Sequence, residues 1–216
     1  PHYNGIEILS ECIESLLKTI TDEIEIIIVD NASEDDSIQV IKKLYPNINI
    51  LECDNNYGYA EGCNKGASIA KGKYLIFLNN DTIQENNWIE PLIKRMESDS
   101  TISSVQPKIK NYYNRKDFDY AGGCGGELDI FCYPFTRGRI FNTIEKDLNQ
   151  YDKSDKIFWA SGTAFMTKKS IFEKVNGFDK VLFAHMEEID YHWKCHLMGY
   201  DVISVPKSIV YHKGGK

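Results

Sequence analysis

The strongest constraint on the fold is an alternation of short, continuous apolar runs with segments of helical periodicity. The stretch "EIEIIIVD" (23–30) is β-branched almost throughout and ends at Asp30. Similar runs recur as "NINILECD" (47–54), "KYLIFLN" (73–79) and "ISSVQPKI" (102–109). Unbroken runs of this length read as strands buried on both faces. Between them, apolar residues return at helical spacing: Ile6, Leu9, Ile13 and Leu16; then Ile38, Ile41 and Leu44; then Trp88, Leu92 and Met96. Ser33 with Asp36 three residues on reads as a capping box opening the second helix, which should stop near Pro46. Repeated strand–helix units predict an α/β fold with a mostly parallel central sheet flanked by helices.

The rhythm breaks from Asn111 to Asp155, which is rich in glycine and tyrosine and reads as an irregular functional insertion. It then resumes with a strand "IFWASGTAFMT" (157–167), helices in "KKSIFEKV" and "MEEIDYHWKCHLMG", and strands "DVISVP" and "IVYH". At 216 residues and 42% hydrophobic, the chain suits one domain. Its formal charge of −7, with acids and bases interspersed, argues against a nucleic-acid partner. No apolar run approaches the roughly 20 residues of a membrane span. The six cysteines form no C-x-x-C pair and read as free thiols of a cytoplasmic protein.

Ligands of open α/β sheets bind at the carboxyl ends of strands, and two strands here end in acids. Asp30 can accept hydrogen bonds from a base or ribose, or simply form a turn before Ser33. "NNYGYAEGCNKG" (55–66) sets glycines around a helix start, as a phosphate-binding loop or a tight strand-to-helix turn would. Asn79, Asn80 and Asp81 make an oxygen-rich group suited to a hard cation; a turn that caps backbone groups is the competing reading. His185, Glu188 and His192 share a helix face without matching a metal-ligand spacing, and a carboxylate there can serve as a general base. His212, at the end of the last strand, is placed to reach a metal held by Asp81.

In order, the segments "EIIIVDNASEDDS", "NNYGYAEGCNKG", "YLIFLNNDT" and the long run from Ala160 to Gly215 resemble the family 2 inverting glycosyltransferases of the GT-A fold, with bacterial rhamnosyltransferase-like members the nearest in look. The resemblance implies a sugar moved from a nucleotide donor to a hydroxyl of a glycan or lipid-linked glycan, with Mn²⁺ or Mg²⁺. It implies metal ligation by Asp81 and His212, "NND" standing where the family has D-x-D. It places Tyr3, Asn4, Asp30, Asn31, Asn56, Gly62, Asn64, Asn80 and Asp81 at the donor. It assigns Glu188 as the base, one methylene longer than the family's usual aspartate, with Glu187 and Asp190 as rivals. Arg137, Trp159 and Gly162 fall on the acceptor side, and Tyr133 and Phe135 suit a sugar-binding surface. Residues 1–110 form the expected nucleotide-binding half and 111–216 the acceptor-binding half. A first strand is expected upstream of Pro1, and a peripheral place at the inner membrane face is compatible with a lipid-linked acceptor. The alternative is a non-catalytic module of a larger synthase that holds nucleotide or glycan.

Overall fold

The computed structural model describes residues 1–20 and 23–214. The first half runs through helix α1 (Ile6–Leu17), strand β1 (Ile27–Asp30), α2 (Ser37–Leu44), β2 (Asn49–Glu52), α3 (Gly58–Ile69), β3 (Tyr74–Leu78), β4 (Thr82–Gln84), α4 (Ile89–Glu97) and β5 (Ile102–Asn111). The insertion carries two small hairpins, β6 (Gly126–Leu128) with β7 (Pro134–Thr136) and β8 (Arg139–Ile140) with β9 (Thr143–Ile144). The chain closes with β10 (Asp155–Ile157), β11 (Ala164–Lys168), α5 (Lys169–Lys174), a 3-10 turn over Lys180–Leu182, α6 (Glu187–Leu197) and β12 (Asp201–His212).

The class is α/β, and the central sheet is mixed. Its order is β10–β12–β5–β11–β3, with β4 on the end of β12. The long β5–β12 pairing is parallel, whereas β11 runs antiparallel to both β3 and β5. Strands β1 and β2 pair in parallel as a separate two-stranded sheet. Because β11 and β12 lie beside β3 and β5, the expected halves 1–110 and 111–216 interleave in one sheet.

Three local expectations differ in detail. The capping box does not form: α2 begins at Ser37, and Ser33 instead donates from its amide (3.1 Å) and hydroxyl (2.5 Å) to Asp30 Oδ1. The run 157–167 is broken after Ile157 by a loop through Ser161 and Gly162, so only its ends pair as strands. "DVISVP" and "IVYH" are one strand, β12, with a register shift between Val205 and Ile209 that absorbs Pro206.

Buried side chains cover both faces of the sheet. On one, Phe77 stands 4.9–5.2 Å from Phe165, Phe172 and Phe178, and Tyr191 of α6 joins them. The Tyr191 hydroxyl lies 2.6 Å from Thr167 Oγ1, which fixes α6 over β11. On the other face, Trp88, Leu92 and Met96 of the α4 region pack on Val105 and Ile109. The insertion is tied down by buried charge: Lys108 Nζ of β5 meets Asp147 at 3.1 Å and Asp152 at 2.5 Å, and Lys110 meets Asp147 at 2.8 Å. All six cysteines are free. No helix among the described residues is long and apolar enough to cross a membrane.

Candidate active site

The strand ends converge as the sequence implies. Just past β3, Asp81 Oδ2 lies 3.2 Å from His212 Nε2 at the end of β12. The two meet because β12 carries β4, in the register His212↔Thr82, beside the β3–β4 turn. The other histidine nitrogen, Nδ1, donates to Asp119 Oδ1 at 3.0 Å. Burial works against charge on this ring, yet the hydrogen bonds to Asp119 and Asp81 hold it protonated, its pKa raised to about 10. Asp81 Oδ1 is buried and has no hydrogen-bond partner.

This arrangement fits a divalent cation. An orphaned carboxylate oxygen beside an imidazole supplies two ligands, with Asp119 orienting the ring from behind. A cation held there would take the place of the Nε2 proton. No group of three or more His, Cys, Asp or Glu among the described residues is arranged as a complete metal site, so the remaining positions would fall to ligand or water oxygens.

A second polar cluster lies at the end of β1. His2 pairs with Asp30 as a parallel bridge, its amide donating to Val29 O at 2.8 Å and its carbonyl accepting from the Asn31 amide at 2.9 Å. The buried His2 ring has its pKa lowered by desolvation. Its Nδ1 accepts from Asn80 Nδ2 at 2.8 Å, and its Nε2 lies 2.9 Å from Ser37 Oγ. The Ser37 hydroxyl in turn donates to Asp35. Asn4, at φ 56°, accepts the Glu34 and Asp35 amides on its side-chain oxygen. Tyr3 is exposed beside it. Asp30 Oδ1 is engaged by Ser33, so the turn reading is realised at that oxygen. Asn31 donates to Gly58 O at 2.9 Å, and its own Oδ1 is buried and unpartnered. Asn56 accepts the Gly58 amide at the start of α3. A side chain at Gly62 would meet Asn31 and Pro1 at 3.2 Å, so glycine allows α3 to close on the β1 end.

The third element is the start of α6. Phe183, His185 and Met186 all have positive φ, a tight left-handed path that delivers Glu187 and Glu188 into the first turn of the helix. The path is held from α3: the Ala60 amide donates to Phe183 O, and a Cβ at Gly58 would lie 2.5 Å from that oxygen. Burial and the neighbouring carboxylate of Glu188 push Glu187 up to about 7. Burial also raises Glu188, a shift eased by backbone hydrogen bonds at Glu188 itself and at Gly162. Each glutamate has a buried Oε2 with no hydrogen-bond partner. Gly162 sits against them, a Cβ there lying 3.6 Å from Glu187 Oε1.

Several expected site residues do other work. Asp190, a rival for the base, points away along α6 and pairs with Lys194 at 2.6 Å. Both ends of the Asn64 amide are taken by the backbone of Phe178, at 2.9 Å each, so Asn64 ties α3 to the turn after α5. Arg137 donates to Glu127 at 2.8 Å and to Lys156 O at 3.0 Å, which leaves it a brace of the insertion. Trp159 is buried under Gly126, where any Cβ would overlap its ring, and its indole donates to Glu127 O. Tyr133 and Phe135 do remain exposed. His192 is buried among aromatic rings with its pKa lowered to about 3 by burial and Nδ1 2.6 Å from Glu188 O, the environment of a neutral structural histidine.

Two residues at the site carry no sequence signal. Asp119 lies inside the irregular insertion, far along the chain from His212, and only the fold joins them. Tyr59 is half-buried, and its hydroxyl donates to Gly162 O at 2.5 Å, pinning the loop under the two glutamates. Its aromatic ring within a glycine-rich segment reads as packing until the loop is placed.

A family model described as Glycosyl transferase family 2 matches residues 1–175. The glycosyltransferase GlyG of Streptococcus pneumoniae serotype 4 is 36% identical over 122 residues, 55% of this chain and 39% of that protein. The Escherichia coli enzyme WfaP, a UDP-Glc:α-D-GlcNAc-diphosphoundecaprenol β-1,3-glucosyltransferase, is 35% identical over 122 residues, 56% of this chain and 47% of WfaP. The chain thus spans less than half the length of either relative. Among solved structures, GalNAc-T7 with UDP, GalNAc and Mn²⁺ superposes with a TM-score of 0.76 at 19% identity, covering 97% of this chain and 41% of that one; at that identity the likeness is one of fold, and the fold is GT-A.

Proposed function

The chain belongs to glycosyl transferase family 2, and from that premise we propose that it carries an inverting, metal-dependent transfer of a hexosyl or rhamnosyl group from a nucleoside-diphosphate sugar to a hydroxyl of a glycan or lipid-linked glycan. The observation that carries the reading is the unpartnered, buried Asp81 Oδ1 beside His212 at the end of β3. Asp81 and His212 would hold Mn²⁺ or Mg²⁺, and an imidazole ligand favours Mn²⁺. The chemistry such a cation supplies is neutralisation of charge on the departing nucleoside diphosphate. GalNAc-T7, of the same fold, is known with UDP and Mn²⁺.

The remaining roles belong to this chain's own groups. The cluster of Tyr3, Asn4, Asp30, Asn31 and Asn80 frames the nucleoside end of the donor. Glu188 takes the proton of the acceptor hydroxyl, which attacks the anomeric carbon opposite the leaving group and inverts it. Its position in the first turn of α6 helps it stay ionised, since the helix dipole favours negative charge there. Glu187, kept near neutrality by burial, stands beside it as a partly protonated neighbour. Tyr59 and Gly162 hold the wall behind both. The acceptor enters on the insertion side, past Tyr133 and Phe135. WfaP acts on a diphosphoundecaprenol-linked sugar by its name, and a similar acceptor here would place the work at the cytoplasmic membrane face.

The test is calorimetric titration with UDP, dTDP and GDP, each with Mn²⁺, with Mg²⁺ and with chelator. The reading expects one nucleotide to bind, with affinity lost in chelator and in Asp81→Ala. A folded protein that binds none of them overturns it. One that binds a nucleotide yet transfers to no acceptor supports the non-catalytic alternative.

A further inference from the structure

Four polar side chains form one run of hydrogen bonds from the loop before α2 to the turn between β3 and β4: Asp35, Ser37, His2 and Asn80. The middle of the run is closed to solvent, with His2 2% and Ser37 1% exposed. Each buried polar atom there needs a partner of the opposite kind. Filling space alone does not call for an imidazole, since an apolar ring of similar size has no polar atoms to satisfy.

The direction of every bond in the run is set from one end. Asp35 takes the Gly5 amide on Oδ2 at 2.7 Å and the Ser37 amide on Oδ1 at 3.1 Å. The Ser37 hydroxyl also bonds to it and holds its carboxyl below the usual carboxylate range. An ionised carboxylate only accepts, so the Ser37 hydroxyl proton points at Asp35. With that proton committed, the Ser37 oxygen is an acceptor toward His2 Nε2, 2.9 Å away, and the ring proton sits on Nε2. Burial lowers the pKa of the ring and keeps it neutral, which leaves Nδ1 bare. A bare nitrogen only accepts, so Asn80, 2.8 Å away, must offer its NH₂ group.

The other arm of the Asn80 carboxamide is its oxygen, which bonds to no group among the described residues. An asparagine at a rim is otherwise free to turn either arm outward. The two arms recognise opposite chemistry: an NH₂ donates to phosphate oxygens, whereas a carbonyl oxygen accepts from hydroxyls. On the reading that the ends of β1 and β3 hold the nucleotide sugar, we propose that His2 is a positioning residue for the donor. It transmits the polarity of Asp35 to Asn80, so that Asn80 meets the donor with its oxygen and selects a hydroxyl over a phosphate oxygen at that point. His2 itself touches no donor atom in this arrangement and acts through Asn80.

The experiment reads the tautomer and the affinity together. Long-range ¹H–¹⁵N correlation spectra of the ¹⁵N-labelled chain, at neutral pH without nucleotide, report which nitrogen of His2 carries the proton, the ring being assigned by the signals lost in His2→Phe. Calorimetry with UDP, dTDP and GDP in Mn²⁺ measures donor affinity in the parent chain, in His2→Phe and in Ser37→Ala. The parent should show the Nε2–H form. Ser37→Ala, which removes the acceptor that fixes this form, should populate Nδ1–H and weaken nucleotide binding about 3- to 10-fold, with melting temperature within about 4 °C of the parent. His2→Phe should weaken binding by at least as much. Should His2→Phe fail to fold, the ring is assigned by the signals that move in Ser37→Ala, and the same outcomes decide. An Nδ1–H ring in a parent chain that binds nucleotide overturns this proposal alone, as does a shifted tautomer in Ser37→Ala with unchanged affinity. A parent chain that binds none of the three nucleotides overturns it together with the donor reading on which it rests.

Discussion

Asp119 and His212 stand 93 residues apart in sequence and 3.0 Å apart in space, joined by a hydrogen bond from Nδ1 to a buried carboxylate. That contact decides which nitrogen of His212 faces Asp81, and in the proposed metal site it would orient the ring as a ligand. Asp119→Ala should weaken Mn²⁺ affinity about 10- to 100-fold, the usual effect of losing such a partner. Competition calorimetry with and without nucleotide measures it. Unchanged affinity would mean that Asp119 serves only the fold of the insertion.

The two glutamates at the head of α6 should separate kinetically. Glu188→Gln is expected to lower transfer about 10³-fold, within the range of a lost general base, while leaving donor affinity within a few-fold. Glu187→Gln should keep transfer within about tenfold. If the losses are reversed, Glu187 is the base and the correspondence in sequence is misplaced by one residue.

Glu187 also makes a stability prediction. Its folded pKa of about 7 lies above the usual value of 4.5, so the folded state holds a proton that the unfolded chain has released between those values. The contribution is full below pH 4.5 and is lost as pH rises through 7. Glu187→Gln, neutral throughout, should therefore stabilise the protein by about 2 kcal/mol at pH 8, allowing for partial solvent screening, and change little at pH 4. Thermal melts of both proteins across this range provide the check. A constant difference between them at all pH values would refute the burial argument.

Asn64 separates a structural role from a donor role. Asn64→Ala strands the amide and carbonyl of Phe178, a residue 2% exposed, and should cost about 2 kcal/mol or roughly 5 °C in melting temperature. Nucleotide affinity measured well below the transition should be unchanged. A loss of affinity without loss of stability would return Asn64 to the donor pocket.

The ion network under the insertion offers a last test. Lys108 is buried between Asp147 and Asp152, and Lys108→Met leaves Asp147 with Lys110 alone. The expected destabilisation is about 3 kcal/mol, read by denaturant unfolding, with faster proteolysis within 111–155.

The sequence by itself determined what depends on local pattern. Continuous apolar runs such as "YLIFL" fix buried strands, helical spacing in α1 and α4 fixes the faces they bury, and the polar ends of β1 and β3 mark where a ligand can be held. Asp81 and His212 were legible as a pair because strand ends gather at one rim of an α/β sheet. What the tertiary structure alone decided is which polar groups are already committed. Arg137, Trp159 and Asn64 carry binding chemistry in sequence, but their hydrogen bonds close on Glu127 and Phe178, partners set by packing between distant segments. Asp119 and Tyr59 are the reverse case, plain in sequence and placed at the site by long-range contact. The same holds for the merged strand "DVISVP…IVYH" and the broken strand at Ser161–Gly162: residue pattern gives local preference, whereas pairing across the sheet, which buries backbone groups, chooses where a strand continues and where it yields to a loop.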